Sequence, residues 1–393
     1  MEAIATTIRG RGLSPSRLVA IADRLEKDVA ASAIPGAMIV IGSHNRVIFE
    51  RTVGFRDVAE GDPLRPDAIW RIYSMTKPIV TAAAMVLVEA GLLCCDQPVA
   101  EFIPLFAQLR VADGAGRDVP ARTPPTIQDL MRHTAGLSYG YHGDGPAHQA
   151  YVADGFLDED LSNASFVDRL AALPLEHQPG TVWHYSHATD VLGRVLEVVS
   201  GHSLLQVLQE ALFEPIGMLE TDFQLPAAKR GRVAGPLPQP AGGRPQFFDP
   251  CLPRRAQRAG GGLVSTAHDY ARFLRMLLGN GSLDGTRVLS PATVAYMTAD
   301  HLGHSIRKGS YYPPGPGYGF GLGFAVRLVE GESPFPGSRG DYFWSGVGGT
   351  YFWVDPDPAR DLFVLLMLQS SSPEQRRHYR TLLRNMVYAA VDC

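Results

Sequence analysis

Lysine is nearly missing from this 393-residue chain: of its 36 basic residues only Lys27, Lys77, Lys229 and Lys308 are lysines, so a lysine inside an apolar segment stands out. Cysteine is sparse as well. Cys94 and Cys95 are adjacent, Cys251 and Cys393 lie far off, and no spacing suits a metal centre. Such a set cannot staple a small fold, and free thiols are the expectation. A net charge of -4 and a pI near 6.3 give no basic footprint, which argues against nucleic acid or an anionic membrane as the main partner. No apolar run reaches the length of about eighteen residues that a spanning helix needs. The opening MEAIATTIRGRGLSPSRL has no uninterrupted apolar core, so no secretory signal is read and the expected location is cytoplasmic. Internal repeats and a separating linker are missing too.

Glycine and proline are plentiful, 41 and 30 residues, and imply long ordered loops. Ser14 and Pro15 open a helical pattern in which Leu18, Ile21, Ala22, Leu25 and Val29 share one face. The run AMIVIGSHNRVIFERTVGF then reads as an antiparallel hairpin turning at Ser43 to Asn45. From about 92 to 250 the pattern is helices and loops: a helix capped by Thr126 and closed by Gly136, then a helical pair broken at Gly201. Helices return at 266 to 278 and 291 to 299. Three strand-like runs follow, GFGLGFAVRLV, DYFWSGVGGTYFWVDPD and DLFVLLMLQS, before a last helix at 373 to 390. The expectation is an α+β fold. One antiparallel sheet is built from both chain ends, 1–90 and 260–393, flanked by the terminal helices, with a mostly helical region, 91–259, inserted between.

The stretch WRIYSMTKPIVTAAAMVLVEAG carries the chemistry. An extended approach ends at Tyr73, and a buried apolar helix is expected from Ser74, with Pro78 tolerated in its first turn and Gly91 at its end. Ser74 and Lys77 are the polar exceptions, three residues apart on one face, and a buried lysine costs free energy unless paired or functional. A serine hydroxyl becomes a nucleophile when a neighbouring base takes its proton, and a helix start offers an unpaired N–H to a developing oxyanion. Ser305 and Lys308 repeat the S-x-x-K spacing, but in a Gly/Pro loop without a buried helix.

Two distant segments could complete the site. Tyr185 follows the Pro179-Gly180 turn and precedes a helix, although a tyrosine there is as often structural. Trp344-Ser345-Gly346-Val347-Gly348-Gly349 places glycines within a strand-like run, as a close backbone approach or an oxyanion N–H would require. A rival nucleophile is Ser138 in Gly136-Leu137-Ser138-Tyr139-Gly140, which matches G-x-S-x-G. That elbow needs a strand before the serine and a helix after it, the reverse of the order here. His133 and His184 lie near these motifs, with no acid partner identifiable for a triad.

Together S-x-x-K, Y-S-x and W-S-G-V-G-G, with LMRHTAGLSYG, QPGTVWHYSHATDVLGRVLE and FEPIGM, resemble the serine β-lactamase and penicillin-binding-protein superfamily, most closely the family VIII carboxylesterases that look like class C β-lactamases. The resemblance implies that Ser74 attacks, Lys77 is a base within reach, and Tyr185 shuttles the proton between serine, leaving alcohol and water. It further implies an oxyanion hole from the N–H groups of Ser74 and Val347, and substrate contacts from Trp344, Gly346, His187 and Tyr139. No cofactor or metal is implied. Where lactamases carry Y-x-N the chain has Tyr185-Ser186-His187, and where they carry K-T-G it has Trp344-Ser345-Gly346. These departures point to a neutral, partly apolar ester, with β-lactams as weak substrates. The expected function is a carboxylesterase for short-acyl esters. The alternatives are a β-lactamase, a D-Ala peptidase or a transacylase on the same scaffold, or a non-catalytic penicillin-binding-like protein.

Overall fold

The structure is a computed structural model that describes residues 12–114, 117–141, 143, 145–155, 160–238, 247–370 and 372–391. Cys393, and parts of the Gly/Pro-rich stretches 138–163 and 224–258, expected from the sequence to be long loops, lie outside the described residues.

The first helix, α1 (Pro15–Ala30), begins with proline where a missing N–H is harmless and buries Leu18, Ile21, Ala22 and Leu25 on one face. Strands β1 (Gly36–Gly42) and β2 (Val47–Asp57) form the expected hairpin, with a register shift at Ile41/Gly42, and β3 (Asp62–Pro63) extends it. After the helix α2 (Thr76–Glu89) the chain builds a helical region whose central member is α3 (Ala188–Ser200), closed by Gly201 in the left-handed conformation. The chain then returns through α4 (Ala267–Leu278) to the strands β4 (Tyr318–Phe320), β5 (Ala325–Arg327), β6 (Tyr342–Ser345), β7 (Tyr351–Asp355) and β8 (Leu362–Leu368), and ends in α5 (Pro373–Ala390).

These strands join one eight-stranded sheet in the order β4-β5-β6-β7-β8-β1-β2-β3, each neighbouring pair antiparallel. Both chain ends therefore meet in the middle, where β1 pairs with β8 from Ala37↔Leu368 to Gly42↔Phe363. Strands β1, β7 and β8 are buried at every residue, the mark of a sheet covered on both faces. Alternation along β7 shows what covers it. The Tyr351 hydroxyl meets Arg384 of α5, whereas the next ring, Phe352, packs against Tyr270 of α4.

Three expectations need correction. The α-helix starts at Thr76 rather than Ser74, because Tyr73–Met75 form a single 3-10 turn ahead of it. The helix capped by Thr126, as expected, with Asp129 closing the capping box, ends at Met131 rather than at Gly136, since His133 already has φ +57°. The run GFGLGFAVRLV is two strands, folded back at Gly323 with φ +86°. Among the described residues no single helix is long and apolar enough to cross a membrane, and Cys94, Cys95 and Cys251 are free thiols.

Candidate active site

The turn that carries Ser74 is held from several sides. The Ile72 N–H donates to Leu263 C=O (3.2 Å), Tyr270 Oη of α4 donates to Met75 C=O (3.0 Å), and Thr350 Oγ1, beside β7, donates to Ile72 C=O (3.2 Å). Tyr73 adopts φ +47°, a left-handed conformation that a bulky side chain keeps only when its surroundings impose it. Its ring is edge-on to Phe247 and Phe248 at 5.9 and 5.6 Å. Burial pushes the Tyr73 phenol up to about 12 against the opposing pull of Arg71, so it is a poor base at neutral pH. The strained residue thus directly precedes the serine.

Lys77 is 1 % exposed. Its Nζ donates to Ser74 Oγ (3.2 Å) and to the Gly260 carbonyl, and it lies 4.8 and 5.4 Å from the ring centroids of Tyr185 and Tyr139. The Gly260 N–H in turn donates to Asp190 Oδ1 (2.8 Å), while Asp190 Oδ2 accepts from His187 Nδ1 (2.8 Å). Burial raises the Asp190 carboxyl, but the hydrogen bond from His187 and the charges of Arg258 and Lys77 outweigh it and hold the acid below its usual range. Burial lowers His187 despite Asp190. The pair is therefore a neutral imidazole donating to a carboxylate.

Tyr185 is 9 % exposed. It stacks parallel on Trp183 at 6.0 Å and meets His133, Tyr139 and Trp344 edge to face at 4.9, 5.1 and 5.5 Å. The turn after β6 lies against the serine turn. A Cβ on Gly346 would stand 2.5 Å from Ile72 O, and one on Gly348 would stand 2.5 Å from the Tyr73 ring. Val347, between them, is exposed and lies past the last strand pair, Ser345↔Tyr351.

Ser74, Tyr185, Trp344, Gly346 and Val347 line one cavity of about 560 Å³. The loops contribute Tyr141, Tyr311 and Pro313, and α5 contributes Arg376, Arg377 and Arg380. A larger cleft of about 830 Å³, between the β1–β2 turn and residues 357–362, contains none of the expected site residues. His187 and Tyr139, expected at the substrate, do not line the cavity. They meet edge to face at 4.3 Å, with Tyr139 beside Lys77, and burial with the neighbouring Tyr185 pushes the Tyr139 phenol far up.

The rival serine is placed differently. Ser138 is fully buried, with Oγ 3.4 Å from His184 Nε2 and accepting from the Gly140 N–H at 3.2 Å. Burial brings His184 down to about 4, and no carboxylate is paired with it among the described residues. Lys308 donates instead to Tyr318 C=O (2.7 Å) from a strand paired with Val182–Trp183. Among the described residues no cluster of three His, Cys, Asp or Glu side chains could hold a metal.

Sequence reasoning missed Asp190 and Gly260. An acid in the first turn of a helix reads as a partner of the helix dipole, and a backbone carbonyl leaves no signature at all. The lone charge in the buried face of Ala188–Leu196 was the available signal.

Residues 21–388 match the family described as Beta-lactamase. An uncharacterized protein of Mycobacterium tuberculosis is 37 % identical over 86 % of both chains. Esterase EstB of Burkholderia gladioli is 30 % identical over 95 % of both. Among solved structures, EstCE1, described as a hydrolase with promiscuous acyltransferase activity, superposes with a TM-score of 0.79 at 28 % identity, covering 95 % of this chain and 99 % of its own. The fold and these relatives support serine-hydrolase or acyl-transfer chemistry.

Proposed function

We propose that this chain, which belongs to the beta-lactamase family, is a carboxylesterase that cleaves short-acyl esters through an acyl-serine intermediate on Ser74. The observation that carries the reading is the contact between Ser74 Oγ, open to the cavity, and the buried Lys77 Nζ at 3.2 Å.

In this reading Ser74 Oγ bonds to the ester carbonyl carbon while Lys77 and Tyr185 take its proton. The carbonyl oxygen gains negative charge and is received by the N–H groups of Ser74 and Val347, a role favoured by the close packing of their two turns. The bond from carbon to the alcohol oxygen then breaks, and the proton passes to the departing alcohol. Water repeats the sequence on the acyl-serine, which releases the carboxylic acid and restores the hydroxyl. Trp344 forms an apolar wall for the acyl group, and Asp190 with His187 positions Gly260 and thereby Lys77. The fully buried Ser138 supports the choice of Ser74. β-Lactams are turned over weakly.

The experiment is a pair of variants assayed on a p-nitrophenyl ester of a short acid. Ser74→Ala lowers kcat by about 10,000-fold, and Ser138→Ala retains turnover. Loss with Ser138→Ala and retention with Ser74→Ala would overturn the assignment.

A further inference from the structure

The cavity contains a cation that this ester chemistry does not use. Arg380 projects from α5 between Phe343 and Tyr351, whose ring centroids lie 5.2 and 5.3 Å from its guanidinium carbon. Its Nη2 donates to Ser345 Oγ at 2.8 Å. Its Nε is closed off from solvent and has no partner, and no ion pair joins Arg380 to a carboxylate among the described residues. One turn along the same helix Arg384 shows the contrast, paired with both oxygens of Asp341 at 3.0 and 3.2 Å. Arg376 and Arg377 stand at the same mouth, and among the described residues no acidic side chain lines it.

A guanidinium packed among aromatic rings without a counter-ion is costly, and charges in such surroundings are ordinarily paired. Here a partner can approach through the cavity that Arg380 and Ser74 both line. Arginine presents a planar fork that matches a carboxylate in two parallel hydrogen bonds, with Ser345 Oγ beside it as a further polar contact.

We propose that Arg380 determines specificity for esters that bear a free carboxylate, which it pairs with while Ser74 attacks the ester carbonyl. This rests on the carboxylesterase reading and reverses the expectation of a neutral substrate drawn from Trp344. The cation comes from the last helix rather than from the strand that carries Trp344.

The experiment uses the full chain and four probes: 4-acetoxybenzoate and its methyl ester as substrates, and benzoate and methyl benzoate as ligands. Wild type prefers the charged ester in kcat/KM by about tenfold or more, and Arg380→Gln removes most of that preference, whereas Arg380→Lys retains part of it. In tryptophan fluorescence, benzoate binds the Ser74→Ala protein at least about tenfold more tightly than methyl benzoate does. A preference for the methyl ester, or a charged-to-neutral ratio unmoved by Arg380→Gln, overturns the proposal. Equal binding of benzoate and methyl benzoate overturns it too, and that titration decides the matter if the variant does not fold. If neither ester is cleaved, the carboxylesterase reading fails while the benzoate titration still judges Arg380.

Discussion

Lys77 is held by two acceptors, and one of them, Gly260, is itself fixed by Asp190. The carboxylate of Asp190 therefore acts at a distance, as a positioning residue. Asp190→Asn replaces the acceptor of the Gly260 N–H by an amide oxygen that can turn away. It is expected to lower kcat by about tenfold, the scale of one charge-assisted hydrogen bond, with KM changed less than twofold. Steady-state kinetics on a p-nitrophenyl ester check this, and a fall carried mainly by KM would contradict it. At this scale the sequence was readable where side chains did the work in a rare combination. Ser74 and Lys77 stood out because a lysine in an apolar helix has to be explained. Asp190 and Gly260 did not, because one looks like an ordinary first-turn acid and the other acts through its backbone.

The turn Gly346–Gly349 and helix α5 are the elements on which the site depends. Gly346 has no room for a side chain, since a Cβ would meet Thr350 Oγ1 at 2.4 Å and Ile72 O at 2.5 Å. Gly346→Ala should push the Val347 N–H away from Ser74 and lower kcat by about 100-fold or more, the cost of one oxyanion donor, with thermal unfolding followed alongside to separate catalysis from folding. The helix is tied to the sheet by Asp341, which receives Arg327 Nε at 2.5 Å and both terminal nitrogens of Arg384, all three side chains being fully buried. Asp341→Asn leaves two buried guanidinium groups short of charge and should destabilise the protein by about 3–5 kcal/mol in urea unfolding. The elements themselves were largely legible, since α1, the first hairpin and α5 follow from apolar periodicity and proline placement. The misread ends have local causes. A left-handed His133 ended the helix at Met131, and a left-handed Tyr73 delayed α2, neither of which periodicity reports.

At the scale of the molecule, the sheet closes through the pairing of β1 with β8, and the helical region packs α3 and its neighbours against α2 so that Ser74 lies between the two. That region holds four histidines, His133, His184 and His187 buried and His177 half-buried, all lowered chiefly by burial, with His184 brought to about 4. An unfolded histidine titrates near 6.5, so between that value and the folded one the unfolded chain binds more protons. The stability these groups contribute is complete above about pH 6.5 and is lost as the pH falls toward 4. His184 alone should account for about 2 kcal/mol between pH 7 and 4.5. Urea midpoints at the two values test this, and His184→Gln should flatten the profile. The central claim, an acyl group carried by Ser74, is met most directly by rapid acid quench during turnover of a short-acyl p-nitrophenyl ester, followed by intact mass and peptide mapping. The account predicts the added mass of one acyl group on the peptide containing Ser74, and none on that peptide in Ser74→Ala. An adduct on the Ser138 peptide, or turnover without any adduct on Ser74 when deacylation is slowed by Tyr185→Phe, would contradict it.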